Sequence, residues 1–369
     1  MKYYIIAGEA SGDLHGSNLM KALKRKDPEA VFRVWGGDMM QAAGGELVRH
    51  FKEMAFMGIL AVVKNLPFLL KSIKFCKSDI SSWQPDVLVL IDYAGFNLRI
   101  AKWAHERNIK VVYYISPKIW AWNTKRVYKV KKYIDKMLVI LPFEKDFYKK
   151  YGVDVEYVGN PLLDAIAEFV PDENFRKDND LVDKTIIALV PGSRKQEINY
   201  MLPVMLPVMS HYPNHTFVIA GAPSFTMDFY EEILAANGYQ WGEKLKIVFN
   251  STYDLYTNSQ LALVTSGTAT LEAALFEVPQ VVCYRGNKVM HQIVKRLIKV
   301  DFISLVNLIA RKELVKELLQ YEFNTENLIE EIDNLLDVEK ANTLKDGYAA
   351  LKKVMGPPGV ADRAAKYIF

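Results

Sequence analysis

Short apolar runs alternate along the chain with longer segments whose apolar residues recur at helical spacing. The first run, residues 3–7, ends in a glycine-rich turn at residues 8–13. Apolar side chains then follow at Leu14, Leu19 and Leu23, which is the spacing of one helix face. Strand, tight turn and helix in this order open a βαβ unit.

The same pattern of strand and helix recurs in two series. The predicted strands are residues 31–35, 87–91, 110–115, 137–141 and 155–158 in the first series, and 185–190, 216–220, 246–248, 261–264 and 280–284 in the second. Most of these runs are apolar without alternation, which is typical of parallel strands covered on both faces. We therefore predict an α/β fold with two doubly wound, Rossmann-like domains.

A change in composition separates the two series. Residues 168–183 are charged and polar without a sustained period, which predicts a linker. The predicted domains are residues 1–167 and 184–344, and a C-terminal helix is expected at about 345–369. Ligands of doubly wound sheets bind beyond the carboxyl ends of the strands, so we expect a ligand cleft between the domains.

Composition and charge narrow the class of protein. The 369 residues carry a formal net charge of +4, which is small for a nucleic-acid-binding protein. The first residues lack the apolar core of a signal peptide, and no run approaches the roughly 20 apolar residues of a membrane span. Two distant cysteines, Cys76 and Cys283, give neither a disulfide framework nor a metal pattern. We expect a cytoplasmic enzyme, and attachment to a membrane surface stays open.

Two turns of the second series favour a diphosphate. Ser266, Gly267 and Thr268 follow a buried strand and open a helix, whose free N–H groups attract phosphate. Glu272, about one helical turn later, is a candidate acceptor of hydrogen bonds from ribose hydroxyls. Arg194 ends the turn after the first strand of this series, where a guanidinium stabilises a departing diphosphate. A capped helix and a surface arginine are the plainer interpretations, but the two turns together favour nucleotide binding.

Asp92 is the candidate catalytic residue. It follows residues 87–91, a run of pure hydrophobics, and a carboxylate at a strand's carboxyl end suits a general base. An aspartate that caps the next helix is the alternative.

The glycine-rich turn at residues 8–13 fits neither a dinucleotide-binding fingerprint nor a phosphate-binding Walker loop. Its glycines are four residues apart and no lysine follows. Ser11, Asp13 and His15 are therefore candidates for the acceptor side of the cleft, with a plain tight turn as the alternative. This pattern argues against a dinucleotide oxidoreductase.

Ser116 and Trp120 belong to a segment that is dense in aromatic residues and follows a predicted strand. They are candidates for a wall against a sugar or acyl chain, and core packing explains the tryptophans equally well. Residues 178–180 match an Asp-x-Asp metal pattern but lie in the predicted linker, and the histidines have no ligand spacing. We expect no metal and no cofactor.

Residues 64–77 alternate basic and large apolar side chains without an acid. Such a basic amphipathic helix is typical of interfacial membrane binding, which makes Lys64, Leu69, Lys71 and Phe75 candidate membrane contacts. An ordinary helix with a solvated lysine face is the alternative.

Taken together, these segments resemble the bacterial lipid-A-disaccharide synthase family. The motifs that carry the resemblance run in order over nearly the whole chain: residues 7–16 (AGEASGDLHG), 91–92 (ID) with 96–97 (FN), 114–117 (YISP), 120–122 (WAW), 141–144 (LPFE), 191–194 (PGSR), 266–272 (SGTATLE), 305–308 (LVNL) and 313–318 (ELVKEL). The first motif is specific, whereas PGSR and SGTATLE are shared more widely among nucleotide-sugar enzymes.

The resemblance implies a GT-B arrangement, in which an N-terminal acceptor domain faces a C-terminal nucleotide domain and the last helix crosses back. It also implies an inverting, metal-independent transfer from UDP-2,3-diacylglucosamine to 2,3-diacylglucosamine 1-phosphate at the cytoplasmic face of the inner membrane. On this sequence Asp92 becomes the base, and Asn307 joins Arg194, Ser266, Gly267, Thr268 and Glu272 as a nucleotide contact.

The chain departs from the family pattern at Gly95, where a second aspartate is usual, so Asp92 is the only acid there. Lipid surfaces are expected partners, nucleic acid is not, and a homo-oligomer is compatible with the sequence. Alternative functions are another GT-B enzyme of UDP-N-acetylglucosamine, such as an epimerase or the peptidoglycan transferase, and a non-catalytic protein that binds nucleotide sugars.

Overall fold

The computed structural model describes residues 1–53, 66–286 and 301–369. Contacts within the chain divide it into two compact units. The first unit comprises Met1–Ala167 together with Met355–Phe369, and the second comprises Glu168–Val354. Each unit is built on one parallel sheet.

The sheet of the first unit has seven described strands in the order β3-β2-β1-β4-β5-β6-β7. Its strands are β1 Lys2–Ala7, β2 Val31–Gly36, β3 Gly45–His50, β4 Val87–Ile91, β5 Lys110–Tyr114, β6 Lys136–Val139 and β7 Glu156–Tyr157. Its helices are α1 Ala10–Lys26, α2 Asp38–Ala42, α3 Leu66–Trp83, α4 Ala94–His105, α5 Ile119–Trp122, α6 Val127–Tyr133, α7 Glu144–Lys149 and α8 Leu162–Ala167, with 3-10 turns at Phe51–Glu53 and Thr124–Arg126. The strand order reverses at β1, which pairs in parallel with both β2 and β4.

The central strands of this sheet, β1 and β4, are buried on both faces, as their unbroken apolar runs predicted. Alternate residues of β1, such as Tyr4 and Ile6, belong to one core cluster with Ile73 of α3, Ala101 of α4 and Val130 of α6. Helix α4 packs against both α3 and α6. These three helices therefore form one layer on one face of the sheet.

The C-terminal segment returns to the first unit as helix α17, Val360–Ile368, which packs against α1. The Asp164 carboxylate accepts hydrogen bonds from the N–H groups of Gly359, Val360 and Ala361 at 2.5, 2.9 and 3.2 Å, and so satisfies the free donors of the helix start. Arg363 donates from Nε to the carbonyl oxygen of Val158 at 2.8 Å. Charge and hydrogen bonds thus fix the end of the chain beside β7.

The second unit has a six-stranded parallel sheet in the order β10-β9-β8-β11-β12-β13. Its strands are β8 Thr185–Val190, β9 His215–Gly221, β10 Leu245–Phe249, β11 Leu261–Thr265, β12 Gln280–Tyr284 and β13 Glu317–Leu319. Its described helices are α9 Phe175–Asp178, α10 Lys195–Met205, α11 Met227–Ala236, α12 Thr252–Asn258, α13 Thr268–Leu275, α14 Leu305–Ala310, α15 Thr325–Leu336 and α16 Val338–Met355, with a 3-10 turn at Leu206–His211. Successive residues of β8 belong to two different core clusters, so this sheet is also covered on both faces.

Residues 168–183, predicted to be a linker, pack against the second unit. Phe175 and Leu181 are buried in one of its core clusters. Arg176 donates to the side-chain and backbone oxygens of Asn258 at 2.7 and 3.1 Å. Two apolar residues in a polar segment give no periodic signal, which is why the sequence did not show this packing.

Within the described ranges, no helix combines the length and the apolar character that crossing a bilayer requires.

Candidate functional site

Asp92 lies immediately after β4, and its backbone is held in an unusual conformation. Asp92 and Tyr93 both have left-handed backbones, with φ of 43° and 47°. The Nδ2 of Asn97 donates to the carbonyl oxygens of Ile91 and Asp92 at 3.1 and 2.8 Å. The hydroxyl of Tyr113 donates to the same Asp92 carbonyl. A left-handed backbone is costly for a bulky residue such as tyrosine, so these contacts stabilise a strained turn.

The turn is also fixed by a close approach of Tyr93 to the glycine-rich segment. A Cβ on Gly8 would lie 2.4 Å from Cγ of Tyr93, well inside contact distance. Gly8 thus makes room for the ring that follows Asp92. At Gly95 the situation is the reverse, because a Cβ there would meet nothing within 4 Å.

The surroundings of Asp92 suit a group that accepts a proton near neutral pH. Burial raises the pKa of the Asp92 carboxyl from 3.8 to about 6, and the negative charge of Glu9 adds to the rise. Lys118 and the backbone N–H of Tyr93 act in the opposite direction. The carboxyl is therefore ionised at pH 7 and weakly hydrated, as a general base should be. Glu9 was missed as a site residue because only the fold brings α1 and β4 together.

Ser116 and Trp120, predicted to contact the acceptor, lie in the interior of the first unit. Trp120 donates from Nε1 to the buried Glu144 carboxylate at 3.2 Å, and Ser116 Oγ lies 2.7 Å from the hydroxyl of Tyr148. Glu144 also accepts from the backbone N–H groups of residues 140 and 141 at 3.2 and 2.9 Å. Burial raises the pKa of Glu144 to about 7 despite the donors around it. A direct contact of Ser116 or Trp120 with the acceptor stays a prediction. In the structure, the polar side-chain atoms of both residues make hydrogen bonds inside the first unit.

The residues predicted from the glycine-rich segment separate into different environments. Ser11 is exposed, whereas Asp13 is buried. The Asp13 carboxylate accepts from the N–H groups of Gly37, Met39 and Met40 at 2.7, 3.1 and 3.0 Å and so caps α2. Burial lowers the pKa of His15 from 6.5 to about 4, which keeps the imidazole neutral at pH 7.

In the second unit, Ser266 and Gly267 join β11 to α13. Gly267 has φ of 152°, and helix α13 begins at the exposed Thr268. Ser266 donates from Oγ to the carbonyl of Ile303 at 3.1 Å, which ties the turn to the segment before α14. The first N–H groups of a helix have no partner inside the helix, so the start of α13 offers donors to an anion.

The turn that carries Arg194 lies beside this segment. A Cβ on Gly192, whose φ is 110°, would lie 3.2 Å from Cγ2 of Thr265, the last residue of β11. The Glu197 carboxylate accepts from the N–H of Arg194 at 3.2 Å and pairs with its guanidinium at 2.8 Å. The Arg194 side chain is still mostly exposed, at 62%. The fold therefore brings together the two turns that the sequence singled out for a diphosphate.

Glu272 is half-buried on α13. Burial raises the pKa of Glu272 from 4.5 to about 7, and a hydrogen bond from Tyr253 partly offsets the rise. Tyr253 lies on α12, and only the packing of two helices places it near Glu272. A carboxylate with one bound donor retains acceptor capacity for hydroxyl groups.

Asn307, predicted to contact the nucleotide, is fully buried on α14. Its Nδ2 donates to Val315 and Glu317 at 2.8 Å each, and its Oδ1 accepts from Leu314 and Val315 at 2.8 and 2.9 Å. Glu317 also accepts from the hydroxyl of Ser304 at 2.7 Å. This network supports the segment that Ser266 contacts, and a direct contact of Asn307 with a nucleotide stays a prediction.

Of the predicted membrane contacts, Lys64 lies outside the described residues. Lys71 and Phe75 are exposed on α3, Phe75 by 44%, and Leu69 is half-buried against the core. Leu70, which was not singled out, is exposed by 54%. The exposed face of α3 therefore does combine lysine with large apolar side chains.

The profile of the family described as lipid-A-disaccharide synthetase matches residues 3–358. A protein of Geobacter metallireducens named lipid-A-disaccharide synthase is 38% identical over 372 residues, covering 99% of this chain and 96% of its own length. A protein of Syntrophus aciditrophicus with the same name is 36% identical, over 98% of this chain and 95% of its own length.

Solved structures show the same fold at low sequence identity. The UDP-GlcNAc 2-epimerase of Neisseria meningitidis, solved with UDP-GlcNAc bound, aligns with a TM-score of 0.66 and 13% identity over 100% of this chain and 98% of its own. The S. aureus protein MnaA, solved with UDP, aligns with a TM-score of 0.68 and 14% identity over 100% and 95%. The two doubly wound sheets thus have the GT-B fold.

Proposed function

Because the chain belongs to the lipid-A-disaccharide synthase family, we propose that it joins UDP-2,3-diacylglucosamine to 2,3-diacylglucosamine 1-phosphate, releasing UDP. The product is the lipid A disaccharide 1-phosphate, joined by a β-1,6 linkage. The observation that carries the proposal is the Asp92 carboxyl, which lies at a strand end with a pKa of about 6. A group with that pKa is ionised at pH 7 and still takes up a proton readily.

The proposed reaction is a single displacement with inversion. Asp92 accepts the proton of the acceptor's 6-hydroxyl while the hydroxyl oxygen forms a bond to the anomeric carbon of the donor. The bond from that carbon to the diphosphate oxygen breaks at the same time, and its electron pair leaves with UDP. Asp92 is the only acid of its own turn, because residue 95 is a glycine. A base without a paired carboxylate on the same turn fits one displacement better than a covalent intermediate.

The second unit supplies the groups for UDP in this proposal. The start of α13 at Thr268 offers N–H donors to the diphosphate, and Gly267 lets the backbone approach it closely. Arg194 adds a positive charge as the leaving group develops negative charge. Glu272 accepts hydrogen bonds from the ribose hydroxyls. We expect these fixed donors to stabilise the leaving group without a divalent metal.

The acylated substrates place the reaction at a lipid surface, for which we propose the cytoplasmic face of the inner membrane. Helix α3 is the proposed contact, because exposed Leu70 and Phe75 can insert while Lys71 meets anionic headgroups. The double variant Leu70→Glu, Phe75→Glu should bind vesicles of inner-membrane lipids more weakly than Val182→Glu, an exposed apolar site in the second unit. Equal vesicle binding by both variants would show that α3 does not contact the membrane.

Purified protein incubated with both substrates in detergent and EDTA tests the reaction directly. Mass spectrometry should show the disaccharide monophosphate and an equal amount of UDP. Asp92→Asn should lose turnover and keep UDP affinity, whereas Asp154→Asn, an exposed aspartate of the same unit, should keep both. UDP release without disaccharide, or full turnover by Asp92→Asn, would contradict the mechanism.

A further inference from the structure

A second basic surface lies away from α3, on α6 and the turn before it. Residues 125–132 contain five basic side chains and no acidic one. Lys125, Lys129, Lys131 and Lys132 are exposed. The whole chain has a formal net charge of only +4, so this is a strong local concentration of charge.

The end of α7 extends this surface. The rings of Tyr128 and Tyr151 contact each other edge to face, with centroids 6.1 Å apart. Lys131 also donates from Nζ to the Tyr151 carbonyl at 3.1 Å. These contacts bring the exposed Lys149 and Lys150 beside α6. We call Lys125, Lys129, Lys131, Lys132, Lys149 and Lys150, together with Tyr128, the α6 basic face.

Folding alone does not account for this arrangement. Lys129 and Lys132 are three residues apart on α6, a spacing at which like charges destabilise a helix. The helix dipole favours Lys131 and Lys132 at the end of α6 but opposes positive charge at its start. Within the described residues, the six lysines form no ion pair with a carboxylate within 4.0 Å, whereas Lys102 on α4 pairs with Glu106 at 3.8 Å. The charge is therefore available to an external anion.

The α6 basic face lies in the same layer as α3. Ile73 of α3, Ala101 of α4 and Val130 of α6 belong to one core cluster, so the three helices cover one face of the sheet. Both α3 and α6 expose lysines, Lys71 on α3 and Lys129 and Lys132 on α6. A layer of helices that exposes lysines in two separate places complements a negatively charged surface.

We propose that the α6 basic face binds the anionic headgroups of a phospholipid membrane and, with α3, aligns the first unit on that membrane. The inference rests on the proposed function, which places the substrates in a lipid surface. A membrane is favoured over nucleic acid because the same layer exposes Leu70 and Phe75, which insert among acyl chains. Tyr128, exposed by 63%, has the amphipathic ring that is enriched at membrane interfaces.

Vesicle binding by the full chain tests the proposal. The double variant Lys129→Glu, Lys132→Glu should bind vesicles of phosphatidylcholine with phosphatidylglycerol at least about tenfold more weakly than the wild type, since each lysine near an anionic surface contributes roughly fivefold. Lys21→Glu with Lys26→Glu makes the same charge change on α1, outside the three-helix layer. That control should bind almost as the wild type does. All four sites are exposed, and a thermal melt of each variant confirms that the fold is kept.

Equal loss in the two double variants would overturn the proposal, because net charge alone would then explain binding. Tighter binding to single-stranded or duplex nucleic acid than to anionic vesicles at the same salt would overturn it too. Transfer in detergent micelles separates this inference from the proposed function. The variant Lys129→Glu, Lys132→Glu should transfer in micelles at the wild-type rate. If the wild type itself shows no transfer, the proposed function is refuted, and the vesicle comparison still decides whether the α6 basic face binds anionic lipid.

Discussion

Removing the charge of Glu9 should make transfer less sensitive to acid. Asp92 acts as a base only when ionised, so kcat/KM should fall as the pH falls through the pKa of about 6. Burial is the larger cause of the raised pKa, and the charge of Glu9 is the second. Glu9→Gln leaves the burial in place and takes away the repulsion, which lowers the pKa of Asp92 and moves the acid limb to lower pH.

The size of the change follows from the two causes. In the wild type, a base with a pKa of about 6 is ionised in about a tenth of the molecules at pH 5. Glu9 is the second cause after burial, so its removal lowers the pKa of Asp92 while burial still raises it. For each fall of about half a unit in that pKa, the share of the maximal rate retained at pH 5 should increase by about threefold, even if the maximal rate itself falls.

The assay is kcat/KM for disaccharide formation between about pH 5 and about pH 8, each variant being normalised to its own plateau. Glu29→Gln, an exposed glutamate in the same unit, makes the same charge change as a control and should follow the wild-type profile. A carbon-13 titration of the Asp92 carboxyl reads the same shift if the variant is too slow to assay. An acid limb that stays in place in Glu9→Gln by both measurements would refute the electrostatic reasoning.

Three further predictions concern positions with defined surroundings. Gly8→Ala should reduce turnover by about 100-fold, since its Cβ would lie 2.4 Å from Tyr93, whereas Gly95→Ala, with open space, should keep the wild-type initial rate. Glu144 has its pKa raised from 4.5 to about 7, so its stabilising effect is present at low pH and is lost as the pH rises through about 7. Relative to Glu144→Gln, the wild type should lose about 2 to 3 kcal/mol between about pH 5 and about pH 8 in urea unfolding, and parallel curves would contradict this. Because the pKa of Glu272 is about 7, its carboxylate becomes protonated below about pH 7, and the protein should then bind UDP more weakly. Calorimetry of Glu272→Gln should show a UDP affinity that does not change over the same pH range.

Much of the fold could be predicted from local patterns. The sequence predicts strands at residues 87–91 and 185–190, and the structure has strands at the same positions. A parallel strand that is covered on both faces needs apolar side chains at successive positions, which gives an unbroken apolar run. Strand β3, Gly45–His50, was not predicted, since it is only half-buried and carries polar and charged residues. Strand β13, Glu317–Leu319, was missed because three residues give no period.

The candidate site divides in the same way. That Asp92 follows a strand could be predicted, because a buried strand and the polar residue that ends it are adjacent in the chain. Two other features of Asp92 could not be predicted: the effect of Glu9 on its pKa and the hydrogen bond from Tyr113 to its carbonyl oxygen. Both arise because β1 and β5 flank β4 in the folded sheet. Asn307 shows the converse, since a motif marks it but its hydrogen bonds are all internal.

The return of α17 to the first unit has a consequence for biosynthesis. The ribosome makes the seven described strands of that unit early, but it makes the helix that packs on α1 only after the whole second unit. Until then the Asp164 carboxylate lacks the N–H groups that it binds in the finished protein, and part of α1 is uncovered. Although the first unit is made first, we expect it to expose apolar surface until the last helix has been made. The nascent chain should therefore bind chaperones during this time.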